Sequence, residues 1–300
     1  MGTAARAQVS LVVLGIAQDG GYPQAACERD CCALVAEDPS RVRLVSCLAI
    51  IDHATGDRWL IDATPDLPEQ LRLLDSVASP RPAGAPVVSG IFLTHAHIGH
   101  YTGLAQLGRE VIGTNGIPAF AMPRMGEFLR GSGPWSQLVK LENIDVRPLA
   151  DNTAVGLGGG LSITPLLVPH RDEFSETVGF RIDGPTRSAL FIPDIDKWSK
   201  WDRSLADELA SVDVAYLDGT FFRDGEIPGR DMSLIPHPFV EETVALLRDL
   251  HLNERAKVRF IHLNHTNPLL WDDDARREIE ALGFRVAEQG EIIQLGEADR

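Results

Sequence analysis

Short apolar runs bounded by turn residues recur along this chain, and several of them end next to a histidine or an aspartate. The runs are short and rich in β-branched residues, which is typical of β-strands. They occupy residues 9–15, 47–52, 58–63, 90–94, 161–168, 177–182, 188–192, 214–218, 258–264 and 290–295. Apolar residues at three- and four-residue spacing predict helices over residues 66–77, 202–212, 238–252 and 272–283. Hairpin-linked strands with interspersed helices predict a single domain, residues 1–300, with mixed sheets flanked by helices.

The residues that follow these strands share the ability to bind metal. Strand ends gather along one edge of a sheet, so side chains that are distant in sequence can converge there, and rigid strand ends hold ligand geometry well. The residues in question are His95 and His97, His170, Asp194, His265, Asp62 and Asp218. This regularity predicts a metal site at one edge of the sheets.

The densest part of this pattern is LTHAHIGH, residues 93–100. His95 and His97 are two residues apart, so both point to one side of an extended segment, whereas His100 can approach from another direction. Imidazole suits zinc and iron, and a carboxylate such as Asp194 can bridge two metals. The position before His100, where a carboxylate would complete the cluster, holds Gly99.

Other polar residues near the strand ends are weaker candidates. We interpret His262, inside the strand predicted over 258–264, as a packed histidine or as a group that orients a ligand. His237, in IPHPF, is a candidate for lining a pocket. The residues that could orient ligating imidazoles are Asp62, Asp218, Thr266 and Asn267.

Three of the four cysteines lie together in CERDCC. In a chain expected to be cytoplasmic, such a cluster favours a metal or redox site over a disulfide. We therefore consider a structural zinc bound by Cys27 with Cys31, Cys32 or both. The alternative is that all of these thiols are reduced and buried.

Charge and hydropathy exclude several classes of partner. The formal net charge is −15, and an acidic surface repels phosphate backbones, so we expect no nucleic-acid partner. The apolar runs are far shorter than the roughly 20 residues that a membrane span needs. The N-terminal segment is more typical of a first strand than of a signal peptide, so we expect a cytoplasmic protein without a membrane partner.

Taken together, the motifs resemble the metallo-β-lactamase superfamily, whose hallmark is HxHxDH followed by a distant His, Asp and His. Residues 95–100 match the first motif except at Gly99, and His170, Asp194 and His265 match the later ones. GYPQAAC, LIDATPDLPEQL and IHLNHTNPLL resemble the branch that contains the coenzyme PQQ synthesis protein B. The resemblance implies an αββα sandwich of the α/β (α+β) class, with two mixed β-sheets flanked by helices.

The resemblance also implies roles for the ligands. His95, His97 and His170 would hold a first metal, and a second would be held by His100, Asp194 and His265. Asp194, His265 and Asp62 would form the catalytic group, with Asp62 in a supporting role. The implied cofactors are two zinc ions at the active site and one structural zinc at the cysteines, with iron or manganese as alternatives.

These roles predict a hydrolase that uses a metal-bound hydroxide to attack a small ester, lactone or phosphodiester. Three protein ligands are a normal number for a catalytic zinc, so Gly99 is compatible with a working site whose second metal is weaker or more exchangeable. One alternative function is a non-haem iron oxygenase related to the PQQ synthesis protein. Another is a non-catalytic protein that binds a metal or ligand. The oligomeric state is open, with a homodimer as one option.

Overall fold

A computed structural model describes residues 9–296 and contains two seven-stranded sheets that pack against each other. In spatial order the first sheet comprises β14 (Ile292–Gln294), β1 (Val9–Gly15), β2 (Cys47–Asp52), β3 (Arg58–Ile61), β4 (Gly90–Phe92), β5 (Ile117–Ala121) and β6 (Ile144–Pro148). The second comprises β13 (Arg285–Val286), β12 (Val258–Ile261), β11 (Val214–Asp218), β10 (Ser188–Ile192), β9 (Val178–Asp183), β8 (Leu161–Leu167) and β7 (Val155–Gly158). Residues 1–8 and 297–300 of the predicted domain lie outside the described residues.

The core lies between the sheets, and strand periodicity explains how it forms. Alternate residues of β1 point to opposite faces, so Leu11 faces the second sheet while Val12 faces the outer helices. Both faces of β1 are therefore apolar, and the whole strand is buried. Across the interface, the rings of Phe92 and Phe180 meet edge to face with their centroids 5.9 Å apart.

Helices cover the outer faces of both sheets. They are α1 (Asp30–Glu37), α2 (Leu67–Val77), α3 (Ile98–Tyr101), α4 (Pro123–Gly131), α5 (Trp135–Lys140), α6 (Leu205–Ala210), α7 (Val240–Leu247), α8 (Leu252–Arg255) and α9 (Asp273–Ala281). Apolar residues of α2, α4 and α5 pack on the first sheet, and those of α6, α7 and α9 pack into the core of the second. The predicted αββα sandwich with two mixed sheets is confirmed. Within residues 9–296, the helices are all too short or too polar to cross a membrane.

Strand direction brings the chemistry to one edge. Strands β3 to β6 are mutually parallel, and so are β10 to β13. The loops that leave the carboxyl ends of β1, β3, β4, β8, β10, β11 and β12 carry the acidic and histidine side chains of the site described below. Ligands commonly bind outside the carboxyl ends of strands in α/β sheets.

Candidate metal centre

The first group of metal-binding side chains consists of His95, His97, His170 and Asp194, each of which offers an atom within 4.8 Å of the others. Asp194 lies between the imidazoles. Its Oδ2 is 3.3 Å from His95 Nε2, and its Oδ1 is 3.2 Å from His170 Nε2. His95 Nε2 is also 2.8 Å from His97 Nδ1. The structure thus brings together four residues that the sequence singled out, from the loops after β4, β8 and β10.

A second group, Asp19, His100 and His262, meets the same 4.8 Å criterion. His100 Nε2 is 3.3 Å from Asp19 Oδ1, and it is also 3.9 Å from Asp194 Oδ2. His262 Nε2 lies 3.7 Å from the same Asp19 oxygen. Asp194 therefore adjoins both groups, which is the position that a bridging carboxylate requires.

Hydrogen bonds on the far side of the rings hold these imidazoles in place. Asp62 Oδ2 lies 2.7 Å from His100 Nδ1, and Asp62 Oδ1 accepts a hydrogen bond from the Thr94 amide at 2.8 Å. His262 Nδ1 is 3.0 Å from Thr220 Oγ1. Metal-binding histidines usually engage their second nitrogen in this way, which leaves the first nitrogen free to bind the ion.

Asp62 was expected to belong to the catalytic group, but the structure places it behind the ring of His100. It is fully buried, and it contacts His100 and Thr94 rather than the open part of the site. Its carboxylate is therefore placed to orient His100.

The donor atoms of the centre fit a metal ion. Eleven buried side-chain polar atoms have no hydrogen-bond partner among the described residues, and five of them lie at the centre: Asp19 Oδ1, His100 Nε2, His170 Nε2, Asp194 Oδ1 and His262 Nε2. Buried polar atoms are normally satisfied, and a cluster of unsatisfied ones that face each other calls for an explanation. Nitrogen and carboxylate oxygen donors in this number are those that zinc and similar divalent ions accept.

The charge states of Asp194 and His95 suit metal binding. Burial opposes the charge of His100, but Asp62 and Asp19 raise the pKa of its ring well above that of a free imidazole, so this ring gives up a proton when it binds an ion. Burial alone would raise the pKa of Asp194, but the neighbouring imidazoles of His237 and His170 hold it well below its usual value. Burial lowers the pKa of His95 well below that of a free imidazole, and the neighbouring His100 adds to this effect. An ionised carboxylate and a neutral imidazole are the forms that coordinate metal.

His237 joins the site from the segment before α7. Its Nδ1 lies 2.8 Å from Asp218 Oδ2 and 3.2 Å from Asp194 Oδ1. Burial opposes its charge, but the carboxylates of Asp218 and Asp194 raise the pKa of His237 to about 9. Its ring also lines a cavity of about 470 Å³ beside the centre. The interpretation of His237 as a pocket residue agrees with this placement.

The structure does not bring His265 to the centre, contrary to the ligand set that the resemblance implied. Strand β12 ends at Ile261 rather than at residue 264, so the residue that follows the strand is His262. His262 adopts a left-handed backbone conformation, with φ of 62°, and is fully buried. It occupies the position beside His100 that had been expected for His265, and it is more than a packed histidine.

His265 instead lies with the cysteines. It offers a donor atom within 4.8 Å of those of Cys27 and Cys32. Burial would raise the pKa of Cys27, but hydrogen bonds from the Arg29 backbone and from neighbouring thiols lower it. Two thiols and an imidazole form a plausible zinc set. Cys31 lies outside this set of three, although its thiol neighbours both other cysteines.

The sequence analysis did not identify Asp19 as a residue of the centre, and it gave His262 another role. Asp19 follows β1 in a Gly-rich turn, and nothing in its local sequence marks it as a ligand. The only available signal was its place after a buried strand, which is the rule that identified the other candidates. His262 would have been selected by that rule had the strand been ended three residues earlier, at Ile261.

Comparisons with known proteins agree with this fold. The sequence profile of the family described as "Beta-lactamase superfamily domain" matches residues 57–263. Coenzyme PQQ synthesis protein B of Cupriavidus necator is 27% identical over 311 aligned positions, which cover 95% of this chain and 99% of that protein.

Solved structures are similar over nearly the whole chain. Zinc-bound PqqB from Methylobacterium extorquens has a TM-score of 0.79 at 23% identity, covering 95% of this chain and 99% of that one. A diphosphatase from the PhnP family has a TM-score of 0.67 at 21% identity, covering 97% and 98%. With a profile match over more than half of its length and the metallo-β-lactamase fold, the chain belongs to the β-lactamase superfamily.

Proposed function

We propose that this protein is a metal-dependent hydrolase of a small anionic ester, and that a phosphodiester fits it better than a neutral ester or lactone. The observation that carries the proposal is the group of metal-binding side chains around Asp194. Through His237, this group borders a cavity that is lined by arginines and also by Cys27 and His265 of the cysteine site. The superfamily includes metal-dependent hydrolases, and a structural relative of this chain is zinc-bound.

The chemistry requires a metal, and the chain provides its ligands. When bound, divalent zinc or a similar ion polarises the substrate oxygen and lowers the pKa of water to about 7. His95, His97 and His170 would hold one ion, and His100 and His262 would contribute to a second, with Asp194 between them. Two zinc ions are our proposal for the native cofactor, with iron or manganese as alternatives.

The charge of the cavity favours an anionic substrate. Arg29, Arg171 and Arg230 line it, together with one acidic residue, Glu28. Across residues 9–296, no salt bridge involves Arg29 or Arg230, while Arg171 reaches Glu173 at 4.0 Å. Three arginines beside the centre of a chain whose net charge is −15 concentrate positive potential where a substrate would enter.

The cavity also sets the size of the substrate and the direction of its approach. Its volume of about 470 Å³ suits a small molecule. Because Asp218 accepts a hydrogen bond from His237 Nδ1, the other nitrogen of that ring is left for the substrate. We propose that the arginines bind the anionic group and that His237 donates a hydrogen bond to the ester oxygen.

Hydrolysis of bis(4-nitrophenyl) phosphate by zinc- or manganese-loaded protein under nitrogen tests this function. We expect turnover that falls by about 100-fold or more in His170→Ala, while His251→Ala, which alters an exposed histidine outside the site, leaves it unchanged. Arg230→Gln should raise KM for the phosphodiester more than for 4-nitrophenyl acetate, which has the same leaving group. No turnover, or equal turnover by wild type and His170→Ala, would contradict the proposal.

A second candidate is oxygen chemistry at a single iron. The observation that favours it is the similarity over 95% of the chain to proteins named for coenzyme PQQ synthesis. The first group of ligands, three histidines and Asp194, can also hold iron. Oxygen consumption that needs ferrous iron, without turnover of the phosphodiester under nitrogen, would favour this candidate over the hydrolase.

A further inference from the structure

Gly99 is the residue that departs from the metal-binding motif, and its surroundings explain the departure. It lies in α3 and is buried, and its φ is outside the left-handed region, so backbone conformation does not require glycine here. A Cβ atom added at Gly99 would lie 2.0 Å from Asp19 Oδ1 and 2.7 Å from Asp19 Cγ. The same Cβ would lie 2.6 Å from Asp19 Cα, so the space that a side chain at position 99 would need is already filled by both the backbone and the carboxylate of Asp19.

Asp19 is held in that space by backbone contacts to the segment that carries His262. The amide of Leu263 donates to the carbonyl of Ile16 at 2.8 Å, and the amide of Gln18 donates to the carbonyl of Leu263 at 2.8 Å. These hydrogen bonds tie the loop after β1 to the end of β12. The Asp19 carboxylate therefore reaches the centre from the loop after β1, about 80 residues before Gly99 in the sequence.

The direction of approach distinguishes a ligand from a group that merely orients the histidines. The Nδ1 atoms of His100 and His262 are already engaged by Asp62 and Thr220. Asp19 Oδ1 instead faces the Nε2 atoms of both rings, and none of these three atoms has a hydrogen-bond partner among residues 9–296. Asp19 thus lies on the side of the rings where an ion would bind.

We propose that Asp19 is a ligand of the second metal and replaces the carboxylate that residue 99 lacks. Together with His100 and His262, and with Asp194 shared between the ions, it completes a second position that the motif alone leaves short of one ligand. This replacement requires glycine at position 99, because only glycine leaves room for Asp19. The inference concerns metal binding and does not depend on the reaction proposed above.

The test is the number and affinity of bound metals, measured by elemental analysis and by zinc titration of the chelator-treated full chain. Asp19→Asn keeps the shape of the side chain, and we expect it to weaken the second metal by about 100-fold or more. Gly99→Asp should also lose that metal, because its Cβ would displace both the backbone and the carboxylate of Asp19. Asp224→Asn, at an exposed aspartate outside the centre, is the matched control.

The outcomes separate this inference from the proposed hydrolase activity. Loss of one metal in Asp19→Asn and in Gly99→Asp, with wild-type metal content in Asp224→Asn, would support the replacement of a carboxylate at position 99 by Asp19. Wild-type stoichiometry and affinity in Asp19→Asn would overturn it, even if Gly99→Asp proved unable to fold. Absence of phosphodiester turnover in the wild type would leave these metal counts unchanged.

Discussion

At the residue scale, Glu226 is a carboxyl group whose environment opposes its charge. It is partly buried, it accepts a hydrogen bond from the Phe222 amide at 2.6 Å, and it contacts the Thr266 hydroxyl. Burial raises the pKa of Glu226 to about 7, although these hydrogen bonds act in the opposite direction. The folded protein therefore binds this proton more tightly than the unfolded chain does.

This shift predicts a pH dependence of stability. The contribution of Glu226 to the free energy of unfolding should fall as pH rises from about 4.5 to about 7, because the folded state must give up a proton that it binds more tightly. Glu226→Gln removes the effect, so its stability relative to wild type should increase over this interval by roughly 1–3 kcal/mol. Denaturant unfolding at pH 5 and pH 8 measures the change, with Asp224→Asn as the control. A constant difference between Glu226→Gln and wild type would refute the assignment.

Backbone conformation at single residues also explains why part of the centre could not be read from sequence. His262 and Asp62 both follow a strand directly, and both are left-handed, with φ of 62° and 72°. Side chains other than glycine rarely adopt this conformation, and it is often associated with functional sites. Local sequence preference does not predict it, so the direction of these two side chains depended on tertiary contacts.

At the scale of elements, we expect α1 to depend on the cysteine site. It has only eight residues, the N-cap residue Arg29 before it makes no side-chain capping hydrogen bond, and it buries only Cys31, Cys32 and Val35. Short helices are marginal without tertiary support. A metal held by Cys27, Cys32 and His265 would anchor α1 to the loop after β12.

We therefore predict that loss of this metal loosens α1 selectively. Cys32→Ser should increase amide hydrogen exchange across residues 30–37, while β1 and the sheet core keep their protection. Cys31→Ser is the matched variant, because Cys31 lies outside the ligand set, and it should retain the metal. Equal exchange in Cys32→Ser and wild type would show that α1 is held by packing alone.

Elements with a strong apolar pattern were predicted well. Strands such as β1, β2, β10 and β11 have the predicted bounds, because each is a continuous buried run between turn residues. By contrast, β5, β6 and β7 were not predicted. Pro118 interrupts the first of these, and two of the four residues of β7, Gly156 and Gly158, are glycines, which are typical of a loop. These strands form by pairing along the sheets, a non-local interaction that local sequence patterns do not reveal.

At the scale of the whole molecule, the two sheets account for convergence of the ligands. The residues of the centre come from positions between 19 and 262, and parallel strands in each sheet bring the loops that carry them to one edge. The fold and most of the ligand set could be predicted because strand ends are encoded locally. The replacement of a carboxylate at position 99 by Asp19 could not be predicted, because it depends on how closely the loop after β1 approaches α3.

The most direct test of the account compares His262→Ala with His265→Ala for metals per chain and for phosphodiester turnover. We expect about three metals in the wild type: two at the centre and one at the cysteines. His262→Ala should lose a metal of the centre together with the activity. His265→Ala should lose the cysteine-bound metal and keep most of the activity. Loss of activity in His265→Ala with full activity in His262→Ala would contradict the assignment, as would a wild-type chain that binds no metal.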